Sequence, residues 1–145
     1  KWKDYDERTE PIFVIKYAES NNGIDWNTSD TICIDSTYEG ESFARPWVIK
    51  DDRVYKMWFS PRGPVGFREK NGDHYMLAYA ESLDGINWEK KPECLNLTTS
   101  KEGWDSEMIE YASVLKDKEN YHMLYNGNQF GKTGFGYAIS NNQKD

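Results

Sequence analysis

The feature that most constrains this chain is that it repeats itself. Ile15-Lys-Tyr-Ala-Glu-Ser-Asn-Asn-Gly-Ile-Asp-Trp26 returns as Leu77-Ala-Tyr-Ala-Glu-Ser-Leu-Asp-Gly-Ile-Asn-Trp88, and a shortened copy, Phe135-Gly-Tyr-Ala-Ile-Ser140, follows near the end. A second pair interleaves with the first: Val48-Ile-Lys-Asp51 with Tyr55 and Met57 comes back at a nearly equal shift as Val114-Leu-Lys-Asp117 with Tyr121 and Met123. Self-similarity at a near-fixed period means one supersecondary unit used several times, each needing a neighbour to bury its apolar face.

The segments between the motifs alternate in polarity and are rich in aromatic and branched residues, as in Arg53-Val-Tyr-Lys-Met-Trp-Phe59 and Tyr75-Met-Leu-Ala-Tyr-Ala-Glu81. They read as strands. Asn22-Gly23 and Asp84-Gly85 supply the positive φ that tight hairpins require. One complete unit is expected as four antiparallel strands near 45–51, 53–60, 74–82 and 86–97, preceded by two strands near 11–20 and 24–34 and followed by three near 110–117, 120–127 and 133–140. Such a unit is the blade of a β-propeller, with the surplus length over a usual blade placed in the loop 61–73. The expectation is therefore an all-β, partial propeller, about half of a five-bladed ring, in a single domain 1–145: the last two strands of a blade in 1–39, a complete blade in 40–100, three strands of the next in 101–145. A β-sandwich with two similar hairpins gives no reason for a third return of the motif.

About two and a quarter blades do not close a ring, which needs at least four. The chain begins without methionine and reads as a piece of a longer protein, or as one half of a homodimer whose two copies together approximate five blades. Either arrangement covers edge strands that would otherwise stand open. A net charge of −7 and a pI near 4.9, with Lys and Arg scattered, argue against a nucleic-acid partner. No apolar run approaches a membrane span. Cys33 and Cys94 fall at near-equivalent places on neighbouring units, too far apart to bridge, and reduced thiols point to the cytoplasm. Neither His74 nor His122 belongs to a zinc-spaced set, and the glycines at 127, 131, 134 and 136 suit a hairpin, not a nucleotide, so neither metal nor cofactor is expected.

Aromatic residues make up 15% of the chain, which packed blades would explain. Trp26 and Trp88 match between repeats and read as packing; Trp47, Trp58 and Trp104 have no Trp counterpart and are candidates for stacking on a sugar. The innermost strands of a propeller border a shared channel, and the segments leading into them, Gly40-Glu-Ser-Phe-Ala-Arg-Pro46 and Gly103-Trp-Asp-Ser-Glu-Met-Ile-Glu-Tyr111, are where the repeats diverge most. Divergence at one structural position, beside repetition elsewhere, suits a site grafted on a scaffold. It nominates Glu41, Arg45, Asp105, Glu107, Glu110 and Tyr111; Asn126, Asn128 and Arg62 are either further polar contacts from the loops or turn residues.

Ala44-Arg-Pro-Trp-Val-Ile-Lys50, Tyr55-Lys-Met-Trp58, the Tyr79–Trp88 motif and Glu110 ahead of Val114-Leu-Lys116 together resemble the glycosidase-type five-bladed β-propellers, the group of invertases, levansucrases, arabinanases and xylosidases. The stretch Tyr121–Gly136 looks like the C-terminal part of bacterial glycosyl-hydrolase-like proteins. The resemblance covers nearly the whole chain but only the middle and later blades. It implies a carbohydrate ligand and a general-acid glutamate, a place that Glu110 occupies, two positions before the residue aligned with Pro46. The supporting aspartate of the family's Arg-Asp-Pro motif is absent, since Ala44-Arg45-Pro46 carries arginine there, and the first blade with its carboxylate is not present.

Glycoside cleavage needs two carboxyl groups. Burial near Trp104 and Tyr111 would raise the Glu110 pKa and Arg45 would lower it. Two readings follow: a glycoside hydrolase completed by further blades or a second chain, with Glu110 as general acid and Arg45, Glu41, Trp47, Trp58, Trp104, Asp105, Tyr111 and Asn126 around the substrate; or a non-catalytic carbohydrate-binding or assembly module.

Overall fold

The computed structural model describes residues 1–5, 8–70, 72–118 and 120–141. Eleven strands, β1 Trp2–Tyr5, β2 Arg8–Pro11, β3 Lys16–Glu19, β4 Asn27–Ile32, β5 Ser42–Asp51, β6 Val54–Arg62, β7 Ala78–Ser82, β8 Glu89–Lys90, β9 Glu110–Asp117, β10 Asn120–Asn126 and β11 Phe135–Asn141, form four antiparallel sheets. Their orders are β1-β2, β3-β4, β5-β6-β7-β8 and β11-β10-β9. The fold is all-β, and its central element is the expected four-stranded antiparallel unit.

Three strand expectations need correction. The hairpin β1-β2 lies outside them, because Trp2-Lys-Asp-Tyr5 and Arg8-Thr-Glu-Pro11 are short and charged and carry little alternation. The strand expected near 11–20 shrinks to β3. The strand expected over 86–97 shrinks to the two residues of β8, followed by a 3-10 turn at Pro92–Cys94; Pro92 has no N–H to donate to a ladder.

The repeated motif proves to be a self-capped turn. In one copy the Ser82 hydroxyl accepts the N–H groups of Asp84 and Gly85, while Asp84 Oδ1 accepts those of Ile86 and Asn87. In the other, Ser20 accepts from Asn22 and Gly23, and Asn22 Oδ1 from Ile24 and Asp25. Gly23 and Gly85 take the required positive φ, 73° and 78°. The N–H bonds from Ile86 and Asn87, with those of the Asn87 amide and the Ser82 hydroxyl, hold the Asp84 carboxyl far below the ordinary carboxylate range. The motif serves local structure, which explains its return without any shared ligand.

Packing runs through both faces of the central sheet. Met57, Phe59, Ala80 and Phe43 bury one face against Ile15, Cys33 and Ile34. Trp58, Leu77 and Tyr79 bury the other against Ala112, Val114, Tyr121, Met123 and Tyr125 of the third sheet. Across that second junction Asp51 accepts from Lys56 at 2.8 Å, from Lys116 and from the Tyr121 hydroxyl. Cys33 is buried, Cys94 is exposed, and both are free thiols.

Candidate functional site

The two strands that lead off the second and third sheets carry the same irregularity. Arg45 and Tyr111, at equivalent positions of the repeat, both sit in the left-handed region at φ 49° and 56°. Each lies where the register slips, between Ala44 and Trp47 opposite β6, and at Glu110 to Ser113 opposite β10. A bulge of this kind re-aims the side chains on either side of it. The two bulges touch: the Arg45 guanidinium lies 5.5 Å from the centre of the Tyr111 ring, and the Tyr111 N–H donates to the Ser60 hydroxyl at 3.0 Å.

The residue before each bulge differs in kind. Ala44 packs beside the cluster of Phe67, Tyr75 and Met108. Its counterpart Glu110 is 0% exposed, and neither carboxyl oxygen has a hydrogen-bond partner among the described residues. Burial pushes the Glu110 pKa up to about 8, against the smaller opposing pull of the Tyr111 hydroxyl and the Arg45 charge. Desolvation therefore wins the contest that the residues alone left open, and the group is protonated at neutral pH. Burial likewise raises the Tyr111 phenol. Asn126 faces Glu110 across the β9-β10 register.

At the same end of the sheets, Tyr38, Glu41, Arg62, Asp73, His74 and Glu107 line a cleft of about 570 Å³. Arg62 is 2% exposed and has no carboxylate partner among the described residues. It donates instead to the Tyr75 hydroxyl at 3.0 Å and to the carbonyls of Gly63 and Pro11 at 2.8 and 2.7 Å, with the Phe67 ring centre 3.6 Å from its guanidinium. It ties the N-terminal hairpin to the β6-β7 loop. His74 Nδ1 meets the Phe67 carbonyl, and its buried Nε2 has no partner among the described residues.

The other nominated residues separate clearly. Glu41 lines the cleft but is held by Lys90 at 3.1 Å and by the Thr37 N–H. Trp58, expected at a ligand, is a core residue wedged between Tyr79 and Tyr121. The Trp47 indole N–H is spent on the Val114 carbonyl, bolting β5 to β9. Trp104 leans on Tyr125 and on glycine backbone so closely that a Cβ at Gly127 or Gly136 would lie 2.4 or 2.6 Å from the ring. Both indoles are thus explained by packing, not by an open stacking face. Asp105 is buried and accepts from the Tyr125 hydroxyl at 3.4 Å. Asn128 is a turn residue: its amide oxygen takes the N–H groups of Glu107 and Met108, and its nitrogen reaches the Gly103 carbonyl. Ser60, which anchors the Tyr111 bulge, is not among the nominated residues, because a lone strand serine carries no signal. Among the described residues, no group of three or more His, Cys, Asp or Glu side chains is arranged to hold a metal ion, and no helix is long and apolar enough to cross a membrane.

No family model matches the chain. Two curated relatives, the uncharacterized proteins Rv1502 and MT1551 of Mycobacterium tuberculosis strains H37Rv and CDC 1551, are each 38% identical over 130 residues, which is 89% of this chain and 40% of theirs. Among solved structures, one described as a glycoside hydrolase superposes with a TM-score of 0.65 at 18% identity, covering 86% of this chain and 35% of its own. Another, described as a complex of BT0996 with RGII, gives 0.66 at 18% identity, covering 88% and 36%. The fold is thus glycosidase-like. The chain spans about 40% of the length of the curated relatives it matches.

Proposed function

We propose that this chain is part of a carbohydrate-active protein of the glycosidase type, in which Glu110 gives its proton to the leaving oxygen of a glycoside. The observation that carries this reading is a fully buried carboxyl group with no partner among the described residues, its pKa pushed up to about 8. A structural role would normally supply hydrogen bonds to a carboxyl buried so deeply. An acid catalyst needs the proton held at working pH. Arg45, Tyr111 and Asn126 stand around Glu110 as the contacts for sugar hydroxyls. The glycoside hydrolase among the structural neighbours supports the same reading.

In the finer form of the proposal the sheets are successive blades of a five-bladed propeller, divided as 1–39, 40–100 and 101–145, and the second carboxylate comes from a blade or a second copy outside this chain. Among the described residues nothing pairs with Glu110. The alternative is a binding or assembly module without catalysis, favoured by arginine at the position of the family's supporting aspartate.

Glu110→Gln separates the two. Under the catalytic reading it lowers turnover by about 10²- to 10⁴-fold on alkyl glycosides, less on nitrophenyl glycosides, whose leaving groups need no proton, and spares binding. Turnover equal to wild type on both removes Glu110 from the mechanism, and binding without turnover in the wild type selects the module.

A further inference from the structure

The third sheet presents an apolar face to solvent. Leu124 is 51% exposed, Phe135 74%, Tyr137 60% and Ile139 50%. They share one face by register, since Tyr137 lies opposite Leu124, and Phe135, Tyr137 and Ile139 alternate along β11. The repeat says what that face is for. Leu124 corresponds to Trp58 of the preceding unit, and Phe135, Tyr137 and Ile139 correspond to Leu77, Tyr79 and Glu81. Trp58, Leu77 and Tyr79 are the residues of the central sheet that bury against the third. The open face of the third sheet is therefore the same face that, one unit earlier, is covered by a following sheet.

A polar contact goes with that junction. The Ser60 hydroxyl on β6 accepts the N–H of Tyr111, the bulged residue of the following sheet. Asn126 is the repeat counterpart of Ser60, and among the described residues its side chain makes no hydrogen bond. It is placed to accept the N–H of the bulged residue of the next sheet.

We propose that this face docks a further antiparallel sheet of the same repeat, supplied by polypeptide outside residues 1–145, with Asn126 as its backbone latch. The occupant must present the face that carries Tyr121, Met123 and Tyr125 in the third sheet and Tyr55, Met57 and Phe59 in the second. A second copy of this chain has no such face to offer, because in both sheets it is already packed against the preceding one. The first sheet, β3-β4, lacks the two strands that would bear it. The curated relatives, of which this chain matches 40%, have the length to supply further units. This inference does not depend on the chemistry of Glu110.

Hydroxyl-radical footprinting of the unmodified polypeptide as the cell makes it provides the test, with each rate normalised to the intrinsic reactivity of the residue. Leu83, 81% exposed at a turn tip, is the internal reference. Leu124, Phe135 and Tyr137 are expected to oxidise at least tenfold more slowly than Leu83, at a ratio independent of protein concentration. Rates equal to that of Leu83 overturn the proposal. Protection lost on dilution assigns the face to a second copy and overturns it as well. Asn126→Ala is expected to raise the Leu124 rate several-fold, and Asn126→Ser, which reproduces Ser60, to restore protection; no change with Asn126→Ala disproves the latch.

Discussion

The strand starts at Ala44-Arg45 and at Glu110-Tyr111 are one backbone used twice. Both carry a left-handed residue, both slip register at that point, and the first is tied to the second through Ser60 and through the Arg45–Tyr111 stack. They differ in what precedes the bulge, a methyl group at one and a carboxyl at the other. The methyl is at ease beside Phe67, Tyr75 and Met108, whereas the carboxyl is stripped of water with nothing among the described residues to replace it. The comparison teaches that the repeat supplies geometry alone, and that one side chain converts a packing position into a proton store.

The largest expected effect tests that difference directly. The pKa of Glu110 is raised from 4.5 to about 8, so between those values the folded chain keeps a proton that the unfolded chain has released. The stabilisation is complete below about pH 4.5 and is lost as pH rises through 8. The slope approaches about 1.4 kcal/mol per pH unit and the total is on the order of 4 kcal/mol. Glu110→Ala, which turns the second bulge into a copy of the first, should remove this slope. Urea unfolding at pH 5 and pH 8.5 measures it, and a wild type equally stable at both would mean that the two bulges do not differ as argued.

A smaller effect tests what the bulges share. Ser60→Ala strips the Tyr111 N–H of its acceptor and is expected to destabilise by about 1–3 kcal/mol. Its repeat counterpart, Asn126→Ala, removes no bond among the described residues, so within this chain it should cost much less. Equal losses in denaturant unfolding would show that Ser60 does not hold the bulge.

The sequence showed the repeat units, the turns and the place of Glu110, because strand alternation, Asx-Gly turns and divergence between copies are all local signals. It did not show β1-β2, whose strands are held by partners far along the chain, among them Arg62, which donates to the Pro11 carbonyl. It misdirected Trp58 and Trp104. The lack of a matching Trp in the other repeat looked like a mark of function, yet Trp58 fills a junction between sheets and Trp104 fills space left by Gly127 and Gly136. Copies of a repeat diverge wherever their neighbours differ, so divergence flags packing as readily as chemistry. Only burial without a partner, a property of three-dimensional contacts, distinguishes Glu110 from them.

Arg45 gives the finest test of the comparison, because it belongs to one bulge and acts on the other. Its charge pulls the Glu110 pKa down against burial, so Arg45→Ala should move the loss of stability, and the basic limb of any pH–rate profile, to higher pH. The fold itself should change little, since Arg45 is exposed and its cation–π contact is worth about 0.5–1 kcal/mol at such a site. Arg45→Gly should be the more stable of the two variants by roughly 1 kcal/mol, because glycine accepts φ 49° without strain. If the guanidinium also meets the ligand, both variants should weaken binding of uronic-acid saccharides by several-fold more than binding of neutral ones, as read by titration calorimetry. A basic limb that stays in place would show that the first bulge does not tune the second, and equal losses for charged and neutral sugars would confine Arg45 to the pairing with Tyr111.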